Sequence, residues 1–234
     1  MTADVRVLDD PAEAAADLLA RHAAARHHIA LTGGSTPRAA YEQAAGADLD
    51  WGGVTLWFGD ERCVPPDDER SNYAMAKAAL LDRISGAAPT VHRMSGELGP
   101  ERGADDYEAR LRETFGAGTP SLDLILLGLG SDGHCASLFP GKPAVEETER
   151  LVVGVPEAGL EPFVPRISFT LPLIDAAREI VFLVSGASKA EAVARAFGGA
   201  PDPATPASLV APASGSLTVL LDPAAAELLE RSRA

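Results

Sequence analysis

The chain has 234 residues, of which 46% are hydrophobic, and its formal net charge at pH 7 is −14. This length and hydrophobic content exclude a largely disordered chain and suffice for one large domain. The acidic balance argues against nucleic acid and membranes as partners, but a few local cations could still bind a small phosphorylated molecule.

The N-terminus and the cysteines carry no targeting or redox signal. Residues 1–20 lack the basic flank and apolar run of a signal peptide, and the chain has no uninterrupted apolar stretch of about 20 residues. Cys63 and Cys135 lack the spacing of metal ligands and imply no disulfide framework. We therefore expect a soluble cytoplasmic protein.

Short apolar runs alternate with helix-like segments along the chain. The predicted strands are 5–8, 28–34, 54–60, 122–130, 151–155, 166–171, 179–186 and 217–222. The predicted helices are 11–25, 36–45, 71–82, 101–115, 188–197 and 223–232. This alternation predicts an α/β fold of three layers (α/β/α), Rossmann-like, with a mostly parallel sheet and helices on both faces. We expect a single domain over residues 1–234.

Ligands of such sheets bind beyond the carboxyl ends of the strands. After the second predicted strand, Gly33 and Gly34 allow the backbone to approach a ligand closely. Ser35 or Thr36 can cap the helix that follows, and free N–H groups at its start can bind an anion. The segment therefore predicts a phosphate site, and the alternative is an ordinary strand-to-helix turn.

A charged triplet follows the third predicted strand. Asp60, Glu61 and Arg62 lie at the strand end, where their side chains are expected to point into the cleft. The alternative interpretation is a solvated charge cluster. Further along, Ser71 is the expected N-cap of the next helix.

The stretch at 128–141, GLGSDGHCASLFPG, opens with the G-x-G-x-x-G pattern of dinucleotide-binding turns. A dinucleotide site also needs a long helix after the third glycine, and Pro140 with Gly141 interrupts one here. The acidic residue expected about 20 positions further on is at best Glu157, which lies beyond another predicted strand. The segment after the glycines therefore argues against an NAD-dependent oxidoreductase, although the G-x-G-x-x-G pattern is present.

The same stretch can instead present a histidine at the start of a short helix. Asp132 stands two residues before His134 and could fix the tautomer of its ring, as in catalytic histidine–carboxylate pairs. A lone histidine is more often structural, but this one follows a strand and a glycine turn. A nucleophile at Cys135 is disfavoured, because adjacent residues at a helix start point in different directions.

Two later basic residues are further candidates, although isolated charges usually lie on the surface. Arg166 begins a predicted strand, and Lys189 stands in the first turn of a predicted helix. A cation there opposes the helix macrodipole, which is understandable if an anion binds nearby.

Five segments of the chain resemble, in the same order, motifs of the 6-phosphogluconolactonases. They are LTGGSTPRAAYE, WFGDERCVPPDDERSNYAMAKAALL, LILLGLGSDGHCASLFPG, PRISFTLPLI and SGASKAEAV. The wider superfamily includes the glucosamine-6-phosphate deaminases, which share the D-G-H motif. One departure is LTVLLD near the C-terminus, where the family often has a tryptophan.

The resemblance implies hydrolysis of 6-phospho-D-glucono-1,5-lactone to 6-phosphogluconate, the second step of the oxidative pentose phosphate pathway. It implies a small phosphorylated sugar lactone as partner, no metal and no cofactor. We expect a monomer or a small homo-oligomer, and the sequence does not distinguish between them. His134 would be the general base, with Asp132 beside it and Arg62 near the carbonyl oxygen. The implied substrate- and phosphate-binding residues are Gly33, Gly34, Ser35, Thr36, Asp60, Arg166 and Lys189.

Two alternatives remain open. The first is a glucosamine-6-phosphate deaminase or sugar-phosphate isomerase of the same fold. In deaminases the segment after D-G-H runs towards Asn-Glu-Pro, whereas residues 135–140 here contain no carboxylate. The second alternative is a non-catalytic sugar-phosphate sensor, although the chain shows no basic DNA-binding helix that would serve as its output.

Overall fold

The computed structural model of the chain describes residues 3–47 and 49–233. The strands are β1 (Asp4–Val7), β2 (His28–Leu31), β3 (Thr55–Phe58), β4 (Asp60–Arg62), β5 (Thr90–Val91), β6 (Leu124–Leu127), β7 (Val152–Val155), β8 (Arg166–Phe169), β9 (Glu179–Val184) and β10 (Ser216–Leu221). The α-helices are α1 (Pro11–Ala24), α2 (Ser35–Gly46), α3 (Asn72–Ala79), α4 (Pro100–Phe115), α5 (Leu171–Asp175), α6 (Ala190–Phe197) and α7 (Pro223–Arg233).

Seven strands form a parallel sheet in the order β1-β10-β9-β6-β2-β3-β5. Every residue of β6, at the middle of this sheet, is buried, as expected for a strand covered on both faces. The sheet and its helices confirm the predicted three-layer α/β/α class. That the whole chain forms a single domain stays a prediction.

The direction in which strands are added reverses between β2 and β6. From β2 the chain continues through β3 to β5 at one edge, and from β6 it continues through β9 to β10 towards the other edge. The connections that leave β2 and β6 therefore diverge and open a crevice beyond the carboxyl ends of these neighbouring strands. Open α/β sheets place their ligands at such a switch point.

A second, antiparallel sheet of three strands, in the order β4-β8-β7, was not predicted. The sequence placed β7 and β8 in one mostly parallel sheet and placed residues 60–62 at the end of the third predicted strand, not in a strand of their own. Each of these strands has only three or four residues, and β8 is buried throughout, so its sequence shows no alternation that would distinguish the two pairings.

The short elements β5 and α5 were also missed, because two and five residues are too few to show a period. The predicted helix over 71–82 ends earlier, at Ala79, and a 3₁₀ turn from Leu81 to Arg83 follows it.

The start of α3 is held by Ser71 and by a buried carboxylate. Ser71 is the N-cap, as predicted, and its Oγ accepts a hydrogen bond from the Ala74 N–H. The Glu61 carboxylate accepts hydrogen bonds from the Ser71 hydroxyl and from the backbone N–H groups of Asn72 and Tyr73, at 2.8–2.9 Å. Burial raises the pKa of the Glu61 carboxyl, although these bonds oppose the shift. Glu61 thus anchors a helix and does not point into the cleft, contrary to expectation.

Glu61→Ala should lower the free energy of unfolding by about 3 kcal/mol, because several buried donors lose their acceptor together. Urea denaturation measures this change. The control is Glu97→Ala, which removes an exposed ion pair with Arg93 and should cost less than about 1 kcal/mol. Equal stability losses in the two variants would contradict the anchoring role.

Candidate active site at the carboxyl edge of the sheet

A cleft of about 200 Å³ lies at the switch point. Its walls come from the segments that follow β2, β3, β6 and β9, and from the loop before β8. The lining residues are Thr32, Gly33, Gly34, Asp60, Arg62, Asn72, Gly128, Leu129, Gly130, His134, Ala136, Phe139, Leu160, Glu161, Arg166 and Lys189. The structure therefore brings one histidine, two carboxylates and three cations to a single cavity.

His134 and Asp132 form a hydrogen-bonded pair at this cleft. The His134 Nδ1 lies 2.6 Å from Asp132 Oδ1, and the same carboxylate oxygen accepts the backbone N–H of His134 at 3.2 Å. The imidazole also packs against Phe139, with 4.5 Å between the ring centroids. The expected pairing of the imidazole with a carboxylate is thus present in the structure.

A tight turn, and not a helix, presents the imidazole. The Gly130 N–H donates to the His134 carbonyl oxygen at 2.9 Å, and Gly133 adopts a φ of +96°. A Cβ on Gly130 would collide with the imidazole and with the Asp132 carboxylate, so only glycine fits there. The expected helix start at His134 is wrong, because the chain closes this turn and continues into another.

The ionisation of Asp132 fixes the roles of the two ring nitrogens. Burial raises the pKa of the Asp132 carboxyl, but its hydrogen bonds and charge interaction with His134 outweigh burial, and the net pKa is lowered. Asp132 is therefore an acceptor at neutral pH, and a neutral His134 must carry its proton on Nδ1. The lone pair of Nε2 is then available as a base.

The loop after β2 forms a recess that adjoins the cleft. Helix α2 begins at Ser35 and its N-cap is Gly34, with a φ of +118°; among the described residues no side chain caps it. The expected cap at Ser35 or Thr36 is therefore wrong, because the helix starts one residue earlier than a serine cap requires. No side chain in the described part of the protein binds its first N–H groups, so they can bind an anion. The recess is lined by residues 33–37, 128–129, 183–185 and by Lys189.

Lys189 lies between the recess and the cleft and lines both. It ends a 3₁₀ turn and is the N-cap residue of α6, so it precedes the helix and does not stand in its first turn as predicted. Burial lowers the pKa of the Lys189 ammonium, and the nearby Asp132 carboxylate partly opposes this shift. A bound phosphate would favour the charged amine in the same way.

Arg166 is buried in the wall of the cleft and holds the neighbouring loop. Its Nε donates to the Val164 carbonyl at 3.1 Å, and its Nη2 donates to the Pro162 carbonyl at 2.8 Å. Burial lowers the pKa of the guanidinium, and the charge of Asp60 opposes the shift. Part of the donor capacity of Arg166 therefore supports the loop that carries Glu161, which the sequence could not show.

Arg62 points into the cleft from β4. Its Nη1 donates to the Arg70 carbonyl, and its Nε is buried without a hydrogen-bond partner among the described residues. Neither of these contacts neutralises its charge. Arg62, Arg166 and Lys189 form no ion pair within residues 3–47 and 49–233, whereas eleven other arginines or lysines there do. The cleft therefore concentrates positive charge in an acidic protein.

Several lining residues were not predicted. Asn72 follows the predicted cap Ser71, and its neighbours gave no sign that its side chain returns to the strand end. Leu160 and Glu161 reach the cleft through the loop between β7 and β8 of the second sheet, and predicting them would have required that pairing. Phe139 lies in the stretch after β6, five residues after His134, and was not singled out. The remaining lining residues that were not predicted as site residues are Thr32, Gly128, Leu129, Gly130 and Ala136.

Two broader properties of the described residues bear on partners. None of the helices in residues 3–47 and 49–233 is long and apolar enough to cross a membrane. The same residues contain no group of three histidine, cysteine, aspartate or glutamate side chains arranged to hold a metal ion.

The fold and the cleft define an α/β protein with a histidine–carboxylate pair and a cationic strand-end site. The family model described as glucosamine-6-phosphate isomerases/6-phosphogluconolactonase matches residues 5–219. The chain belongs to this family. It is 43% identical to the 6-phosphogluconolactonase of Synechocystis sp., over 86% of this chain and 84% of that protein.

Two further relatives agree. The human 6-phosphogluconolactonase is 38% identical, over 92% of this chain and 88% of its own length. The solved structure of 6-phosphogluconolactonase from Trypanosoma cruzi superposes with a TM-score of 0.82 at 29% identity, covering 97% of each chain.

Asp132→Asn should weaken control of the ring tautomer, because an amide can donate to Nδ1 as well as accept from it. We expect a mixture of tautomers or a shift towards the Nε2–H form, measured from the ¹⁵N and ¹H resonances of the His134 ring. Asp123→Asn, a carboxylate bonded to the His28 N–H elsewhere, is the control and should leave these resonances in place. An unchanged ring spectrum in Asp132→Asn would contradict the orienting role.

Proposed function

We propose that the chain hydrolyses 6-phospho-D-glucono-1,5-lactone to 6-phospho-D-gluconate, the second step of the oxidative pentose phosphate pathway, with His134 as the general base. The observation that carries this proposal is the His134–Asp132 pair, whose Nδ1–Oδ1 distance is 2.6 Å. The same cleft is lined by Arg62, Arg166 and Lys189, which form no ion pair within the described part of the chain. The names of the relatives support the choice of substrate.

In the proposed reaction, the Nε2 of His134 removes a proton from a water molecule whose oxygen attacks the lactone carbonyl carbon. A tetrahedral oxyanion forms, and a cation near this oxygen stabilises it; Arg62 is our candidate. When the intermediate collapses, the bond between the carbonyl carbon and the ring oxygen breaks. The imidazolium then returns its proton to the departing ring oxygen, which becomes a hydroxyl. Asp132 stabilises the imidazolium in between.

The phosphate of the substrate is assigned to the recess at the start of α2. Uncapped N–H groups and the residues from Gly33 to Thr36 form one side of it, and the Lys189 ammonium reaches it from the other. The recess opens beside the histidine cleft, so a bound phosphate would hold the lactone ring next to His134. Arg166, in the cleft wall, is assigned to the sugar ring or the phosphate.

The alternative is a deaminase or isomerase acting on a hexosamine phosphate. It requires proton transfers at two positions of an opened sugar, and residues 135–140, next to His134, supply no second carboxylate. Ammonia release from glucosamine 6-phosphate would favour this alternative. The cytoplasmic location, the oligomeric state and the absence of a cofactor remain expectations.

His134→Ala should lower kcat for the lactone by about 10²- to 10⁴-fold without unfolding the protein, because the base is removed. The measurement is acid release from freshly prepared lactone, corrected for spontaneous hydrolysis. The control is His27→Ala. His27 lies just before β2, at the amino ends of the parallel strands, whereas the cleft lies at their carboxyl ends. A folded His134→Ala that keeps more than about half of its activity would exclude the general-base role.

Lys189→Ala should raise KM for the phosphorylated lactone about 10- to 100-fold while kcat changes less, since phosphate binding contributes similarly to ground and transition states. Activity on unphosphorylated gluconolactone should change little. The control is Lys142→Ala, which removes an exposed pair with Glu157. If Lys189→Ala discriminates between the two lactones as wild type does, the phosphate assignment is wrong.

A further inference from the structure

The Asp60 carboxylate lines the cleft but forms no ion pair within the described part of the chain. It is only 5% exposed, and two neutral groups hold it. Asn72 Nδ2 donates to Asp60 Oδ1 at 3.0 Å and also to the Asp60 carbonyl at 2.9 Å. The Ser137 hydroxyl donates to Asp60 Oδ2 at 2.7 Å. Each carboxylate oxygen therefore has one fixed donor.

Both donors are themselves fixed by the surrounding structure. The Asn72 N–H is bound by the Glu61 carboxylate at the start of α3, and the Asn72 amide packs so closely against Gly33 that a Cβ there would collide with it. Ser137 is fully buried, and its N–H donates to the Ser168 hydroxyl at 3.0 Å. These contacts hold the backbone from which each donor side chain extends, and the Asn72 amide is also held by its bond to the Asp60 carbonyl.

This arrangement leaves acceptor capacity on Asp60 for a ligand. An ionised carboxylate offers about four lone-pair sites, and two are occupied by Asn72 and Ser137. A carboxylate at Asp60 would repel a phosphate because both are negatively charged. Asp60 is therefore better assigned to the sugar than to the phosphate. Hydroxyl groups are matching donors, and a hydroxylated sugar ring carries several.

We propose that Ser137 and Asn72 are positioning residues that lock the Asp60 carboxylate in the orientation in which it accepts hydrogen bonds from sugar hydroxyls. This inference rests on the proposed function for the identity of the sugar. Locking the carboxylate before the ligand arrives avoids the entropic cost of ordering it on binding.

The test is a double-mutant cycle in the full chain, read from the Kd of 6-phosphogluconate and from kcat/KM of the lactone. Ser137→Ala should raise the Kd of 6-phosphogluconate and lower kcat/KM of the lactone, each about 10-fold. Asp60→Asn should change the same two quantities in the same directions by about 10- to 100-fold. The double variant should be no worse than Asp60→Asn alone, because Ser137 acts only through that carboxylate. Effects that multiply would overturn the proposal.

Inorganic phosphate is the second probe. Its Kd should be unchanged in Ser137→Ala, since Asp60 is assigned to hydroxyls, and an equal loss of phosphate and 6-phosphogluconate binding would overturn the proposal. The matched control is Ser95→Ala, which removes another buried serine that donates to an aspartate, Asp106, at 3.0 Å. Wild-type affinity for 6-phosphogluconate is expected in this control.

Ser137 also lies three residues after His134, so its loss could act on the imidazole instead. The low-field proton of the His134 Nδ1–H···Asp132 bond should persist in Ser137→Ala; its disappearance would overturn the proposal. If Ser137→Ala does not fold, the same cycle with Asn72→Ala and Asp60→Asn tests whether Asn72 acts through the Asp60 carboxylate.

The failure of the proposed reaction can be distinguished from the failure of this inference. Wild-type protein that binds 6-phosphogluconate but does not hydrolyse the lactone would refute the proposed reaction, while the Kd cycle would still test the positioning residues.

Discussion

The reversal of strand order between β2 and β6 is the constraint on which the site depends. Two neighbouring parallel strands end at the same edge, and their connections leave in opposite directions, so the backbone after each strand borders an open crevice. Glycines occupy both strand ends, at 33–34 and at 128 and 130, and the side chains that line the crevice come from elements further along the chain. The sheet topology thus determines where the functional side chains lie, and the glycines, which have no side chains, leave the crevice open.

The second constraint is charge. The protein carries a formal charge of −14, and most of its basic side chains in the described residues are paired with carboxylates at the surface. Within residues 3–47 and 49–233, Arg62, Arg166 and Lys189 line the cleft without forming an ion pair, and burial lowers the pKa of Arg166 and Lys189. Keeping such cations unpaired is costly without an anion. The acidic surface leaves this cleft as a local positive site for a phosphorylated ligand.

The sequence predicted the cleft because its main residues immediately follow strands, and parallel strands align their ends. His134, Asp132 and the loop at 33–36 belong to that group. The sequence did not predict Asn72, Glu161 or the direction of Glu61, because their positions depend on the second sheet and on the start of α3. Strands of three or four residues carry too little pattern to reveal an antiparallel pairing. Nor does residue type reveal that Arg166 donates to the loop carbonyls at 162 and 164.

The hydrogen bond from Ser137 to Asp60 joins residues 77 positions apart in the sequence, across the exposed Gly116–Gly118 turn between α4 and β6. This turn divides the site into two contributions. The N-terminal part supplies the anion-binding loop, Asp60, Arg62 and Asn72, and the C-terminal part supplies His134, Arg166 and Lys189. A polypeptide nicked at this turn would carry His134 and Ser137 on one fragment and Asp60 and Asn72 on the other. Such fragments would have to re-form the pairings of β2 with β6, of β1 with β10 and of β4 with β8 to restore a complete cleft.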